Sequence, residues 1–397
     1  MKILLINDYG GQFYGSEIQT LILRDGLRRR GHDVRFFASD AGCGVGRSLA
    51  DYECLGTTSR FQTLLQTANP WAFWTLSRAL AAFQPDIVHV RMFLTQLSPL
   101  ILPLLKHRPS LYHVTFYEAI CPLGTKMFPD GGHCRIPAGM VCYHRHCLPL
   151  RAMLPQMLRL RFWRRWHEAF NLIVANSEAV RNHVLREVAQ PVEVVFNGTP
   201  IRPSRPLLSF PPTVAFAGRL VREKGADVLV RAFARVVKKL PDARLLLAGE
   251  GPERKYLKRL IASFDLSQSI SMLGHLPHPE LERKFSTVWV QAVPSLWEEP
   301  FGNVAAESMM RGTTVVASNS GGLAEIVQDG QTGILVPPGD EVTLAEALEL
   351  LLSNRNLAEQ MGRAGRAAAL TNLSETISVD KFVRLYETLQ QIRRGLG

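Results

Sequence analysis

Two glutamates, Glu299 and Glu307, stand eight positions apart in the segment EEPFGNVAAE. The apolar run VWVQAVPSL precedes them, and a small-residue helical pattern followed by TTVVAS comes after. This pattern places Glu299 in the loop after a parallel strand and Glu307 on the second turn of the next helix. Open α/β sheets bind ligands at the carboxyl ends of their strands, so both carboxylates are expected to face a ligand there. The amides of Phe301, Gly302 and Asn303 fall at the start of that helix, where backbone N–H groups and the helix dipole suit a phosphate. A carboxylate on either side of a phosphate nest fits a nucleotide sugar, which has hydroxyls at both ends and a diphosphate between them.

A second set of residues lies upstream, in AFAGRLVREKGADVL. A strand is expected to end at Gly218, with Arg219 and Lys224 flanking a short turn before a helix. Two cations at the carboxyl edge of a strand suit a pyrophosphate: the guanidinium clamps two oxygens and the ammonium acts as a point charge. Alone, such a turn would read as a solvated basic surface; with the two glutamates it reads as a site. No D-x-D triplet occurs in the chain, so no metal is expected at the diphosphate. Arg219, Lys224 and helix dipoles are left to neutralise it. Nor does a G-x-G-x-x-G follow the first strand. That loop reads DYGGQFYGSEIQT, and Gly15, just before a helix, is expected to let the backbone approach the donor closely.

The elements that must position these residues alternate between strand and helix along the chain, which predicts parallel α/β sheets. The strands expected in the first half are KILLIN, DVRFFA, DIVHV, SLYHVTF, LIVAN and VEVVF. A proline-rich stretch, NGTPIRPSRPLLSFPP, reads as a linker. A second series follows as TVAFAG, ARLLLAG, ISMLG, VWVQAV, TTVVAS and GILVPP. The expected division is a first domain over 1–200, a second over 201–374, and a last helix over 375–397 that can pack on either. Two doubly wound sheets on a short linker would face each other across a cleft.

With 397 residues the chain is too long for one ordinary core. No apolar run reaches the length of a membrane span. MKILLIND reads as a first strand rather than an export signal, so the six cysteines are expected to be reduced, in the cytoplasm. The net charge of +11 is uneven: residues 1–200 hold 22 Lys+Arg against 14 Asp+Glu, an excess of eight, and residues 201–397 an excess of three. The first half is therefore expected to face something anionic, unless the charge is a general basic bias. RNA-binding motifs are absent, so nucleic acid is not an expected partner.

Taken in order, GRLVREKG, LAGEGP, SLWEEPFGNVAAE and ASNSGGLAEIVQDGQTGILVPPGD, with NSEAV and VFNGTP before them, resemble glycosyltransferase family 4. These are retaining enzymes of the GT-B fold, with two Rossmann-like domains. The resemblance implies that Arg219 and Lys224 bind the donor diphosphate, that Glu307 holds the ribose hydroxyls, and that Glu299 contacts the sugar. The backbone of Phe301, Gly302 and Asn303 would line sugar and phosphate. Two departures stand out. The family's first-loop Gly-Gly-x-Glu is here Tyr14-Gly15-Ser16-Glu17, and its T-x-H-D is here Thr115-Phe116-Tyr117-Glu118. Tyr117 and Glu118 are thus the candidates for the sugar side in the first domain; His113, within the strand, is not expected to substitute.

The segment 121–147 carries Cys121, Cys134, Cys142 and Cys147 with His133, His144 and His146. These types bind zinc, but their spacing is not that of a zinc finger, so reduced cysteines in a long loop are expected and a structural zinc is the alternative. Just beyond, Leu154, Leu158, Phe162, Trp166 and Phe170 recur every four residues among Arg159, Arg161, Arg164 and Arg165. Either this stripe packs on the core with the arginines solvated, or the helix lies on an anionic membrane.

The expected function is transfer of a sugar, with retention, from a nucleoside-diphosphate sugar to a hydroxyl of a glycan or lipid-linked acceptor in envelope polysaccharide, lipopolysaccharide or glycolipid synthesis. No cofactor is expected, and the enzyme would be cytoplasmic, peripheral on the inner membrane face. The alternatives are an epimerase- or phosphorylase-like enzyme that needs no acceptor, and a non-catalytic sugar- or nucleotide-binding module.

Overall fold

Strands buried on both faces of a parallel sheet read as unbroken apolar runs, and the first strand shows why. In a computed structural model, which describes residues 1–11, 15–43 and 48–395, Ile3, Leu4, Leu5 and Ile6 are all completely buried. Contacts divide the chain into two units, Met1–Gly198 with Glu375–Gly397, and Thr199–Ser374.

The first unit holds seven parallel strands: β1 (Lys2–Tyr9), β2 (Asp33–Ser39), β3 (Tyr52–Cys54), β4 (Ile87–Val90), β5 (Ser110–Val114), β6 (Leu172–Ala175) and β7 (Val192–Val194). Their order is β3-β2-β1-β4-β5-β6-β7, so the winding reverses between β1 and β4. The three-residue β3 at the sheet edge is an element the sequence pattern does not reveal.

The helix Glu375–Gly395 is part of this unit. Its Val379, Phe382, Tyr386 and Leu389 form one buried face against Leu23, Leu27, Val34 and Ile3. Gly26 permits the approach, since a Cβ there would come within 2.6 Å of Val379 Cγ2. Arg29 with Glu375 and Arg30 with Asp380 close the seam at 2.9 and 2.7 Å.

The second unit holds β8 (Thr213–Ala217), β9 (Arg244–Ala248), β10 (Ile270–Gly274), β11 (Val290–Val293), β12 (Thr314–Ser318) and β13 (Gly333–Val336), all parallel. The order β10-β9-β8-β11-β12-β13 reverses between β8 and β11. Its core joins Val214, Phe216, Leu245 and Leu247 of the sheet to Leu229, Phe233 and Leu348 of the flanking helices.

The helix Leu150–Trp166 corrects the stripe expected from spacing. Its buried residues are Met153, Arg159, Leu160 and Trp163, whereas Leu154 is 70% exposed. Arg159 is not solvated: it is buried and donates from Nη1 to the carbonyl of Leu94 at 2.9 Å. Arg161, Arg164 and Arg165 are exposed, and Arg164 pairs with Glu187 at 3.1 Å.

Candidate donor site in the second unit

The strands β8 and β11 are hydrogen-bonded neighbours, so the loops leaving their carboxyl ends are adjacent. The β8 loop carries Arg219 and Lys224; the β11 loop carries Glu299. Backbone hydrogen bonds fasten the two together: Leu296 N donates to Glu223 O at 2.9 Å.

Lys224 Nζ donates to both oxygens of Glu299, at 2.6 and 2.9 Å. Ser295 Oγ and Trp297 Nε1 donate to the same carboxylate at 2.9 and 2.7 Å. The ammonium also lies 5.1 Å from the centre of the Trp297 ring, within range of a cation–π attraction. Burial alone would push the Glu299 carboxyl up. The charge of Lys224 and the hydrogen bonds from Lys224, Ser295 and Trp297 outweigh burial and hold it below the usual carboxylate range. Glu299 is therefore a fixed anion. Arg219 is more open, its side chain 49% exposed, with a 3.5 Å ion pair to Glu223.

Gly302 starts the helix Asn303–Arg311 with φ of +100°, where a Cβ would meet Leu323 Cδ2 at 2.5 Å. Gly321 has φ of +57° and lies against Glu299, its Cβ position 2.4 Å from the Glu299 carbonyl oxygen. Only glycine tolerates both the dihedral and the closeness, so these two positions fix the loop around Glu299. Phe301 is buried and Asn303 opens the helix.

Glu307 is on the second turn of that helix, half-buried. It faces His278, a residue the motif reading missed, with Nε2 at 3.8 Å from a carboxylate oxygen. The Glu307 carboxylate beside it raises the His278 pKa, and burial opposes it. His278 heads the helix His278–Phe285, which also bears Glu282, and Glu282 is paired with Arg311 at 2.5 Å. Among the described residues, His278, Glu282 and Glu307 are the one group of three with ligand atoms mutually within 4.8 Å. One of the three, Glu282, is already paired with Arg311, which disfavours a metal there.

The remaining candidates lie in the first unit. Gly15 is the exposed first residue of the helix Gly15–Arg29; Tyr14 of the expected first-loop motif lies outside the described residues. Tyr117 and Glu118 sit just after β5, both buried, with the Tyr117 ring edge-on to His183 at 5.3 Å. Burial, then the charge of Asp8, pushes Glu118 up to about 8 against the pull of Arg159 and of the Leu94 and Phe93 amides. Asp8, at the end of β1, accepts from Thr95 N, Thr95 Oγ1, Gln96 N and Leu97 N at 2.5–2.9 Å. Asp8 and Arg159 thus grip one loop, that following β4, with the Glu118 carboxyl close by. His113 is buried beside Phe382 and His89 in the core under the terminal helix.

Cys121, Cys134, Cys142 and Cys147 all line one depression. Burial first, then Cys142, Cys121 and Cys134, pushes the Cys147 thiol up to about 11. His133, His144 and His146 are exposed and line no part of it.

Two doubly wound sheets, one with a cation–carboxylate pair at its switch point, define a class of protein that comparison makes specific. The model "Glycosyl transferases group 1" matches residues 200–368, and "Glycosyltransferase Family 4" matches 13–202. The chain belongs to the group 1/family 4 glycosyltransferases and has the GT-B fold. Sucrose-phosphate synthase from Thermosynechococcus elongatus superposes with a TM-score of 0.76, at 23% identity, covering 98% of both chains. HepE from Anabaena, solved with UDP and glucose, gives 0.69 at 19% identity, covering 98% of this chain and 100% of that one. Among curated relatives, phosphatidyl-myo-inositol mannosyltransferase from Mycobacterium leprae is 31% identical over 57% of this chain and 61% of its own. Alpha-D-kanosaminyltransferase from Streptomyces kanamyceticus is 29% identical over 45% and 46%. The chain thus spans about half the length of these two relatives. No helix among the described residues is long and apolar enough to cross a membrane.

Proposed function

We propose that the chain transfers a sugar from a nucleoside-diphosphate sugar to an acceptor hydroxyl, with retention of configuration. The observation that carries this reading is the Lys224–Glu299 pair at the switch point of the second sheet, beside Arg219 and the helix that starts at Asn303. Glu299 holds the ammonium in place before a ligand arrives. Preorganised charge of this kind stabilises a leaving diphosphate without reorganisation at the moment of reaction. In the proposed mechanism the glycosidic bond breaks toward Arg219 and Lys224, the departing phosphate oxygen takes the acceptor's proton, and the acceptor oxygen bonds the anomeric carbon from the same face. Glu307 holds the ribose and Glu299 contacts the donor sugar, with the backbone at Phe301, Gly302 and Asn303 lining sugar and phosphate.

The acceptor is proposed to be an anionic or lipid-linked glycan bound by the first unit, whose excess of eight positive charges in residues 1–200 supports it. The mannosyltransferase of M. leprae, named for a phosphatidyl-inositol acceptor, supports the same class. HepE's complex makes UDP-glucose the first donor to try.

A thermal-shift series with UDP, GDP, ADP and CMP and their sugars tests the reading. A ligand that binds only the native state raises the melting temperature, so one base should stand out. Incubation with the matching donor should then release nucleoside diphosphate only when an acceptor is added. Release of sugar phosphate, or conversion of the donor without an acceptor, would replace this reading with a phosphorylase or epimerase.

A further inference from the structure

We propose that Cys121, Cys134, Cys142 and Cys147 together bind one zinc ion. The four thiols are 13, 8 and 5 positions apart in sequence, yet they line a single depression of about 310 Å³, its open mouth included. The chain's other two cysteines are elsewhere, Cys43 beyond β2 and Cys54 at the end of β3.

The rest of the lining is Pro122, Leu123, Met127, Phe128, Val141 and Leu148. Among the described residues no carboxylate and no imidazole lines it, so the strong donors in the lining are sulfur. An all-thiolate set selects zinc over the hard cations magnesium and calcium, which take oxygen.

A buried cation points the same way. Lys126 is 5% exposed, its ammonium donates to the Ile136 carbonyl at 3.0 Å, and its charge acts on Cys142. Among the described residues it forms no ion pair with a carboxylate. A buried ammonium without a counter-charge is costly. Four neutral thiols do not balance it, whereas a zinc tetrathiolate, with a net charge of two minus, does.

The segment also needs a staple. Its 27 residues form only one four-residue helix, Val141–His144, and one isolated bridge, Met127 to His133. Its core is Ala138, Cys142 and Leu148, closed by Met153 and Leu160 of the next helix. Loops beyond about 12–15 residues with no structure of their own are uncommon in compact domains, and small metal-clamped units gain their folding free energy from the ion.

Binding displaces four protons to solvent as four S–H groups become four S–Zn bonds, and no oxidant is needed. The sulfurs surround the depression without meeting: among the described residues no three of them lie mutually within 4.8 Å. Zn–S bonds of about 2.3 Å would therefore draw the loop inward. Cys121 comes three residues after Glu118 in the chain that leaves β5, so the ion would hold the chain close to that carboxyl.

The test is elemental analysis of the full chain, purified under reducing conditions without a metal-affinity tag. About one zinc per chain is expected, released by a mercurial together with four thiol equivalents. Cobalt exchanged for zinc should give thiolate-to-cobalt charge-transfer bands and tetrahedral ligand-field bands. Cys142→Ser and Cys121→Ser should reduce the metal to background, whereas the Cys43→Ser/Cys54→Ser variant should keep it. A metal-free chain that binds neither zinc nor cobalt overturns the proposal. So does a mass lower by four hydrogens, showing two disulfides, or zinc retained at full stoichiometry in Cys142→Ser. If the serine variants fail to fold, the stoichiometry and cobalt spectrum of the unmodified chain still decide.

Discussion

Lys224 and Glu299, 75 positions apart in sequence, form a bidentate ion pair with side chains only 21% and 11% exposed. Each is the other's counter-charge, so neither can be removed without stranding the other. Lys224→Ala is expected to cost about 3–5 kcal/mol of stability, because breaking a buried pair leaves an uncompensated charge. Lys224→Ala/Glu299→Gln should recover much of that loss. Urea unfolding of the two variants checks this, and a Lys224→Ala chain as stable as the parent would refute it. The pair also sets an acid limit. The Glu299 carboxyl is held low in the folded state, so its stabilisation is complete above the unfolded value of about 4.3 and lost as pH falls through the folded one.

Arg219 should separate from Lys224 in such experiments. Its side chain is half exposed and its partner Glu223 is 3.5 Å away. Arg219→Ala is therefore expected to melt like the parent but lose about 30- to 1000-fold in turnover, the loss of roughly 2–4 kcal/mol of transition-state stabilisation. Near-parental turnover would remove Arg219 from the diphosphate site.

His278 gives the second unit a pH dependence in the opposite sense. Its folded pKa is raised, chiefly by the adjacent Glu307 carboxylate. The stabilisation is fully present below the unfolded value of about 6.5 and is lost as pH rises through the higher folded value. The melting-temperature gap between the parent and His278→Gln should thus be larger near pH 6 than near pH 9. A gap that does not change with pH would show that the pair contributes no linkage.

Transfer should not respond to added magnesium or manganese. The cations at the proposed diphosphate site are side chains, and the His278, Glu282 and Glu307 group is engaged with Arg311 and within itself. Turnover measured with and without EDTA over the length of one assay should agree. Loss in EDTA with recovery on magnesium would mean that a divalent ion holds the donor.

The helix Leu150–Trp166 presents Leu150 and Leu154, 66% and 70% exposed, with Arg161 and Arg165 exposed on the same side. We expect binding to vesicles that contain anionic lipid, weakened by salt and by Arg161→Gln/Arg165→Gln, each basic residue contributing about 1 kcal/mol. Co-sedimentation at two salt concentrations checks this. No binding to any vesicle, with efficient transfer to a neutral soluble acceptor, would refute it.

The sequence by itself determined the two-sheet architecture. The strands of the second unit are short, mostly apolar runs between turn residues, because parallel strands covered on both faces are largely apolar; the exceptions inside the strands are Ser271 on the edge strand β10 and the buried Gln291 of β11. The three-residue β3 escaped because a short edge strand needs no such run. The motif residues were legible one by one, but what they touch was not. Lys224 meets Glu299 because β8 and β11 are sheet neighbours, a relation set by strand order. Arg159 was read as solvated because its helix has apolar residues nearly all round, so spacing alone does not say which face packs inward. His278 offered no motif at all. The four cysteines converge on one depression through an irregular loop, where no periodicity links sequence distance to distance in space. Local pattern fixes which elements form, because it reflects each residue's own burial; which side chains meet depends on contacts distant in sequence, and only the tertiary structure decides those.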